Sequence, residues 1–234
     1  MESMLQTLSA GLDRLGLSLD ERTQERLVCF GCAVIEQNRV MNLTAITEPD
    51  KVAELHLLDS LSLLKTAPLA GKRLLDVGTG AGFPGVPLKI AEPSLELTLL
   101  DSLQKRMRWL QEEALPSLGV EADFLVGRAE DFARDHREAF DVVTSRAVAR
   151  LNLLCELCLP FVRVGGCFLA LKGAMAEDEL LEAGRAIRAL GGQYEKTAVF
   201  PIDGAEHKVL VIRKLSPTPE KYPRSWGKMK QKPL

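Results

Sequence analysis

Residues 74–90 read LLDVGTGAGFPGVPLKI, an apolar run interrupted by four glycines and two prolines. An apolar strand, a glycine-rich turn and the start of a helix are the parts of a βα nucleotide-binding unit. Two frames compete for the glycines. Gly80 to Gly85 matches G-x-G-x-x-G, the dinucleotide fingerprint that seats a pyrophosphate on a helix N-terminus. An earlier frame starts with an acid, Asp76, and continues Gly78-Thr79-Gly80-Ala81-Gly82. Glycines there let the backbone turn sharply and approach a ligand closely.

Working outward, short apolar runs alternate with longer amphipathic ones: RLLDVG, LELTLLD, EADFLVG, FDVVTSR and GGCFLALKG are each followed by a helical pattern. That alternation predicts βαβ units and a parallel sheet covered on both faces. QYEKTAVF and HKVLVIRK follow with only a turn between them, too short for a crossover helix, so the last strand is predicted antiparallel. Upstream, Leu5, Leu8, Leu12 and Leu15 recur at helical spacing, as do Leu27, Phe30 and Val34, and then Val52, Leu55, Leu58 and Leu61. Residues 215–234 hold four prolines and read as a tail. The predicted organisation is an N-terminal helical extension (1–70), an α/β domain (71–214) and a basic C-terminal tail (215–234).

In such a sheet the ligand lies beyond the carboxyl ends of the strands. An acid followed by G-x-G-x-G suits a cofactor without a pyrophosphate and with a cationic amino-acid end. S-adenosylmethionine has both properties, and Asp76, Gly78 and Gly80 are its candidate contacts. Asp101 closes the second strand, where a carboxylate can accept both ribose hydroxyls; NAD would be served equally well. Its alternative role is as an acid at the start of the next helix. Ala129 and Glu130 follow the third strand, where an adenine edge would lie, and Glu130 could equally be a first-turn helix acid.

Net charge is −2, but the five basic residues and no acid from Lys221 to Leu234 leave residues 1–220 at −7. The apolar stretch 151–171 is broken by Asn152, Glu156, Pro160, Arg163 and a Gly-Gly, which excludes it as a membrane span. A cytoplasmic, monomeric protein with no membrane association is expected.

The segments NLTAI (42–46), HLLDSL (56–61), LLDVGTGAGFPGVPL (74–88), LLDSLQKR (99–106), TSRA (144–147), ALKG (170–173) and the ending KYPRSWGKMKQKPL carry a likeness over essentially the whole chain. It resembles the bacterial 16S ribosomal RNA guanine-N7 methyltransferases, the glucose-inhibited division protein B family. The resemblance implies a class I methyltransferase fold, Rossmann-like and mostly parallel, with a helical extension at its N-terminus. It also implies S-adenosylmethionine as donor and a guanine in the decoding-region loop of 16S rRNA, free or in the small ribosomal subunit, as acceptor. By position it implies Gly78, Phe83, Ala129, Glu130 and Arg146 as cofactor contacts, with Asp101 on the ribose.

Guanine N7 is a lone pair without a proton, so its methylation needs no obligatory general base; positioning and electrostatics carry the reaction. No Ser/His/Asp or Cys/His arrangement is visible, nor an Asn-Pro-Pro-Tyr motif or a catalytic Pro-Cys pair. Arg146, Lys172 and Asn42 are the positioning candidates. Arg146 could bind the cofactor carboxylate, a base edge or phosphate. Aimed at N7 it would oppose the developing cation, so cofactor or phosphate is preferred. Lys172 is either a phosphate contact or an ordinary half-buried lysine. His56 and Asp59, three apart on a predicted helix, could form a small site with Asn42; three histidines without a spaced cluster argue against a metal.

In the tail, Lys221, Arg224, Lys228, Lys230 and Lys232 interleave with Tyr222 and Trp226, a pattern suited to phosphates and unpaired bases. Its alternative is a solvated terminus. Two C-x-x-C pairs, Cys29/Cys32 and Cys155/Cys158, fall on apolar helical stretches, where buried free thiols are the ordinary outcome. Cys155/Cys158 lies beside the expected active site and raises the second reading of a redox-sensitive pair. Two rival functions share the fold: a small-molecule methyltransferase, which the basic aromatic tail disfavours, and an NAD-dependent oxidoreductase, for which no Ser…Tyr-x-x-x-Lys set is present.

Overall fold

In the computed structural model, which describes residues 1–146 and 148–234, the apolar runs are strands β1 (Arg73–Val77), β2 (Glu96–Asp101), β3 (Asp123–Val126), β4 (Phe140–Arg146), β5 (Val162–Lys172), β6 (Gly192–Ile202) and β7 (Ala205–Lys214). Ala147, the last residue of TSRA, lies outside the described residues. The strands form one sheet in the order β3-β2-β1-β4-β5-β7-β6. β1 to β5 pair in parallel, while β7 runs antiparallel between β5 and β6. Asp203 and Gly204, both at positive φ, turn the β6–β7 hairpin.

Successive strand residues feed opposite faces. Leu99, Val142, Leu169 and Val211 join one core; Leu100, Val143, Ala170 and Ile212 join the other. The period-2 geometry of a strand thus converts an unbroken apolar run into two cores. Helices α1 (Glu2–Leu15) and α2 (Glu21–Asn38) share the first core with helix Gly85–Ala91. Asp20 caps α2 by accepting the Thr23 N–H at 2.7 Å. A Cβ on Gly11 of α1 would lie 2.0 Å from Leu58 Cδ1, so only glycine lets α1 approach the segment carrying His56 and Asp59 this closely. That segment starts at Pro49–Val52, widens into a π-helical stretch at Ala53–Leu58 and closes at Asp59–Leu61.

The second core is covered by helices Leu151–Cys158 and Ala176–Ala189 and by part of the C-terminal segment. Tyr222 and Met229 are buried there, so residues 215–234 dock on the sheet domain where the proline content predicted a loose tail. Among the described residues, no helix is long and apolar enough to cross a membrane.

Candidate functional site: two cavities sharing one wall

β1 delivers its chain to the glycine turn, where Gly78 (φ 73°), Gly80 (φ 59°) and Gly82 (φ 94°) all adopt left-handed backbone. A Cβ on Gly78 would come within 2.3 Å of Val148 Cγ2, so this glycine serves both conformation and close approach. Asp76 lies behind the turn, fully buried. Its Oδ2 accepts the Thr79 hydroxyl at 2.7 Å and the Gly85 N–H at 2.9 Å, tying the start of the turn to the start of the next helix. Burial pushes its carboxyl up to about 6, against hydrogen bonds from Thr79 and Gly85 that favour the charged form. Oδ1 has no partner among the described residues.

Asp101, at the end of β2, accepts the Gly80 N–H through Oδ2 at 2.9 Å and the Leu103 N–H through Oδ1 at 2.8 Å. One carboxylate therefore fixes two loops, which a ribose acid must also do if it is to be pre-positioned. Across β4, Thr144 donates its hydroxyl to the Leu169 carbonyl at 3.0 Å and Ser145 donates to the Val77 carbonyl at 2.8 Å. The small polar residues of TSRA thus bolt the end of β4 to both neighbours and set the exit direction of Arg146.

These turns enclose a cavity of about 520 Å³ at the carboxyl end of the sheet, within the usual range for cofactor sites. Gly78, Gly80, Phe83, Asp101, Ala129, Glu130 and Arg146, seven of the eight expected cofactor contacts, line it. Asp76 does not; it organises the loop from behind.

The wall of this cavity is a stack of charge and rings. His56 stacks on Phe83 with centroids 4.8 Å apart, and the Arg146 guanidinium lies 5.2 Å from the same ring. Arg146 donates through Nη1 to the Leu55 carbonyl at 2.9 Å and to Asp59 Oδ2 at 3.0 Å, and through Nη2 to His56 Nδ1 at 3.2 Å. His56 Nδ1 also lies 3.1 Å from the Leu55 carbonyl, so that carbonyl and the guanidinium compete for this nitrogen, while Nε2 lies 2.8 Å from the Thr44 hydroxyl. Burial, and then the Arg146 charge, push His56 down to about 4, which keeps it neutral. For Asp59, burial works to raise the carboxyl, but His207 and Arg146 outweigh it and hold it below the usual range. The His207 imidazole, 2.8 Å from Asp59 Oδ1, is shifted upward by that contact.

Behind the wall lies a second cavity of about 630 Å³, and His56, Arg146 and Val148 border both. Asp59, Arg150, Lys172, Glu179 and His207 supply its polar groups. Lys172 donates to the Ala149 carbonyl at 2.8 Å and pairs with Glu179 at 2.7 Å.

Asn42 takes no part in the arrangement proposed with His56 and Asp59. It is exposed, its carbonyl accepts from Arg106 Nη2 at 2.6 Å, and Thr44 occupies the place beside His56. Asn38 explains the local choice, since its Oδ1 accepts the Leu43 and Thr44 N–H groups at 2.7 and 2.9 Å and folds that loop inward. Arg224, expected on RNA, instead grips Glu156, which is 1% exposed, while Lys221, Lys228 and Lys230 remain exposed. Cys155 and Cys158 are free, buried thiols whose burial raises them well above the ordinary range, so neither supplies a thiolate at neutral pH. Among the described residues, no three His, Cys, Asp or Glu side chains converge as metal ligands.

The family model "rRNA small subunit methyltransferase G" matches residues 23–207. Ribosomal RNA small subunit methyltransferase G of Alkaliphilus oremlandii is 46% identical over 97% of both chains, and that of Pelotomaculum thermopropionicum is 45% identical over the full length of both. The chain belongs to this family. Solved structures agree at the level of fold: TrmN from Thermus thermophilus has a TM-score of 0.54 at 23% identity, over 68% of this chain and 48% of that one. The antibiotic-resistance methyltransferase Kmr has a TM-score of 0.51 at 20% identity, over 68% of this chain and 94% of its own. The fold is that of class I methyltransferases, and the family's cofactor is S-adenosylmethionine. The first cavity fits it. Gly80 leaves open space beside the turn, a carboxylate waits at Asp101, and the Phe83 ring lines the wall beside Arg146.

Proposed function

We propose that this chain methylates N7 of a guanine in the decoding-region loop of 16S rRNA, acting as a single copy in the cytoplasm on the small ribosomal subunit or its precursor. The observation that carries this reading is the shared wall: a donor cavity and a polar second cavity meet at His56, Arg146 and Val148. A transferred group needs donor and acceptor in adjoining compartments with their reacting atoms in line. When bound in the first cavity, S-adenosylmethionine supplies an electrophilic methyl group. The second cavity then holds the guanine. The names of the relatives point to small-subunit rRNA as its source.

The electrostatics of the wall suit that acceptor. Methylation at N7 creates a cationic base, so an uncompensated cation nearby would raise the barrier. Arg146 has Asp59 at 3.0 Å, Lys172 has Glu179 at 2.7 Å, and His56 is neutral. The wall can hold the base and leave the product's positive charge tolerated. No residue need accept a proton, consistent with a histidine held near 4. Lys172 and the exposed Lys221, Lys228 and Lys230 are proposed to meet phosphates, which fixes position without reading sequence.

Methyl transfer to small subunits from a strain lacking the activity tests the assignment, with strand scission at N7-methylguanine mapping the product. One labelled guanine in the decoding region is expected. Label at another atom or another site, or none, overturns it.

A further inference from the structure

The C-terminal segment reaches the donor cavity. Trp226, first residue of the short helix Trp226–Gln231, lines that cavity together with Leu157 and Val148. Its seat is built. Arg224, two residues earlier, donates from Nε to Glu156 Oε1 at 2.8 Å and from Nη2 to Oε2 at 2.6 Å, while its own N–H also reaches Oε1 at 2.9 Å. Glu156 is buried and immediately precedes Leu157, the cavity residue of helix Leu151–Cys158. Anchor and lining are thus adjacent on both segments. Met229, fully buried, pins the far end of the short helix in the second core, and Arg137 donates to the Thr218 carbonyl at 3.0 Å and to that of Tyr222.

A charge-paired, apolar-pinned segment of this kind is a costly way to hold a ring that does nothing. An unpaired Glu156 would be buried without compensation, so the segment's docking and its ion pair stand together. The indole offers a flat π-face and one N–H donor to whatever occupies the cavity. We propose that Trp226 is a binding wall for the adenosyl donor, which makes the C-terminal segment part of the donor site rather than only an RNA-binding tail. This rests on the reading of the first cavity as that site.

Binding of S-adenosylhomocysteine, the demethylated donor, tests it by calorimetry and by indole emission. The chain has one other tryptophan, Trp109, buried in the opposite core. Trp226→Ala is expected to weaken binding about tenfold, the scale of losing one aromatic face against a base, and Trp226→Phe to stay within about threefold of wild type. Arg224→Ala, which loosens the anchor away from the cavity, is expected to weaken binding by a smaller factor. The emission change on ligand addition should persist in Trp109→Phe and vanish in Trp226→Phe. Unchanged affinity in Trp226→Ala, with its thermal midpoint lowered or not, overturns the inference alone, as does an emission change that follows Trp109. Failure of the wild-type protein to bind the ligand overturns the donor-site reading itself.

Discussion

The two cavities share a wall yet are built by opposite means. The donor cavity is framed by local turns: residues 78–83, 101–102 and 127–130, at the ends of three strands, converge because parallel strands all end on one side. The second cavity is made of side chains from distant elements, and the His207–Asp59 contact joins residues 148 positions apart. A site framed by turns is most sensitive to backbone changes. A side-chain site has the reverse sensitivity, and substitutions can separate the two.

The largest effect is expected at Asp59. Asp59→Ala leaves Arg146, only 18% exposed, without its carboxylate. Breaking such a pair costs about 3 kcal/mol, measurable by urea unfolding, with methyl transfer falling further than S-adenosylhomocysteine binding. Equal loss of both would erase the distinction between the cavities.

Next come two opposed titrations across the wall. His56, held near 4 in the fold, makes stability fall as pH drops from 6.5 toward 4, because the unfolded chain takes up the proton first. Asp76, raised to about 6, makes stability fall as pH rises from 3.8 toward 6, because the folded chain keeps its proton longer. Each spans roughly 3 kcal/mol at about 1.4 per pH unit, so they largely cancel. Denaturant titrations between pH 4 and 6.5 should show Asp76→Asn gaining a steeper rise with pH than wild type, and His56→Asn a fall. Parallel profiles in all three proteins would refute the opposition.

Gly78→Ala should weaken S-adenosylhomocysteine about tenfold, since the left-handed backbone and the contact with Val148 together cost roughly 1–2 kcal/mol. Its effect on RNA binding should be slight. A variant losing RNA and donor equally would show that the wall moves as one piece. The smallest effect is expected at Lys230→Ala: a modest, sequence-independent loss of RNA affinity and a salt-dependence slope shallower by about 1. An unchanged slope would remove Lys230 from the phosphate contacts.

The same contrast explains what could be read from the sequence. Strand-then-turn patterns, the glycine turn and the acid ending β2 obey local rules, so the sheet, the antiparallel last strand and seven residues that line the first cavity were legible. Asp76 was visible as an acid but not as one facing away from the cavity, because period-2 alternation does not say which face a ligand takes. His207 gave only the weak signal of a polar residue opening an apolar strand. Its pairing with Asp59 depends on a hairpin inserting β7 beside β5. In the C-terminal segment, prolines and lysines mask three apolar anchors, and Arg224 reads as a free cation until Glu156 is found 68 residues away.

The π-helical stretch Ala53–Leu58 sets a limit on chain length. Its wider turn presents the Leu55 carbonyl, His56 and, just beyond, Asp59 to one guanidinium. Deleting a single residue there would restore ordinary helical winding with the flanking turns still in register, and would withdraw the groups now splayed toward Arg146. Loops elsewhere on the surface can lengthen or shorten as homologues diverge. This segment can change its letters, but not their number.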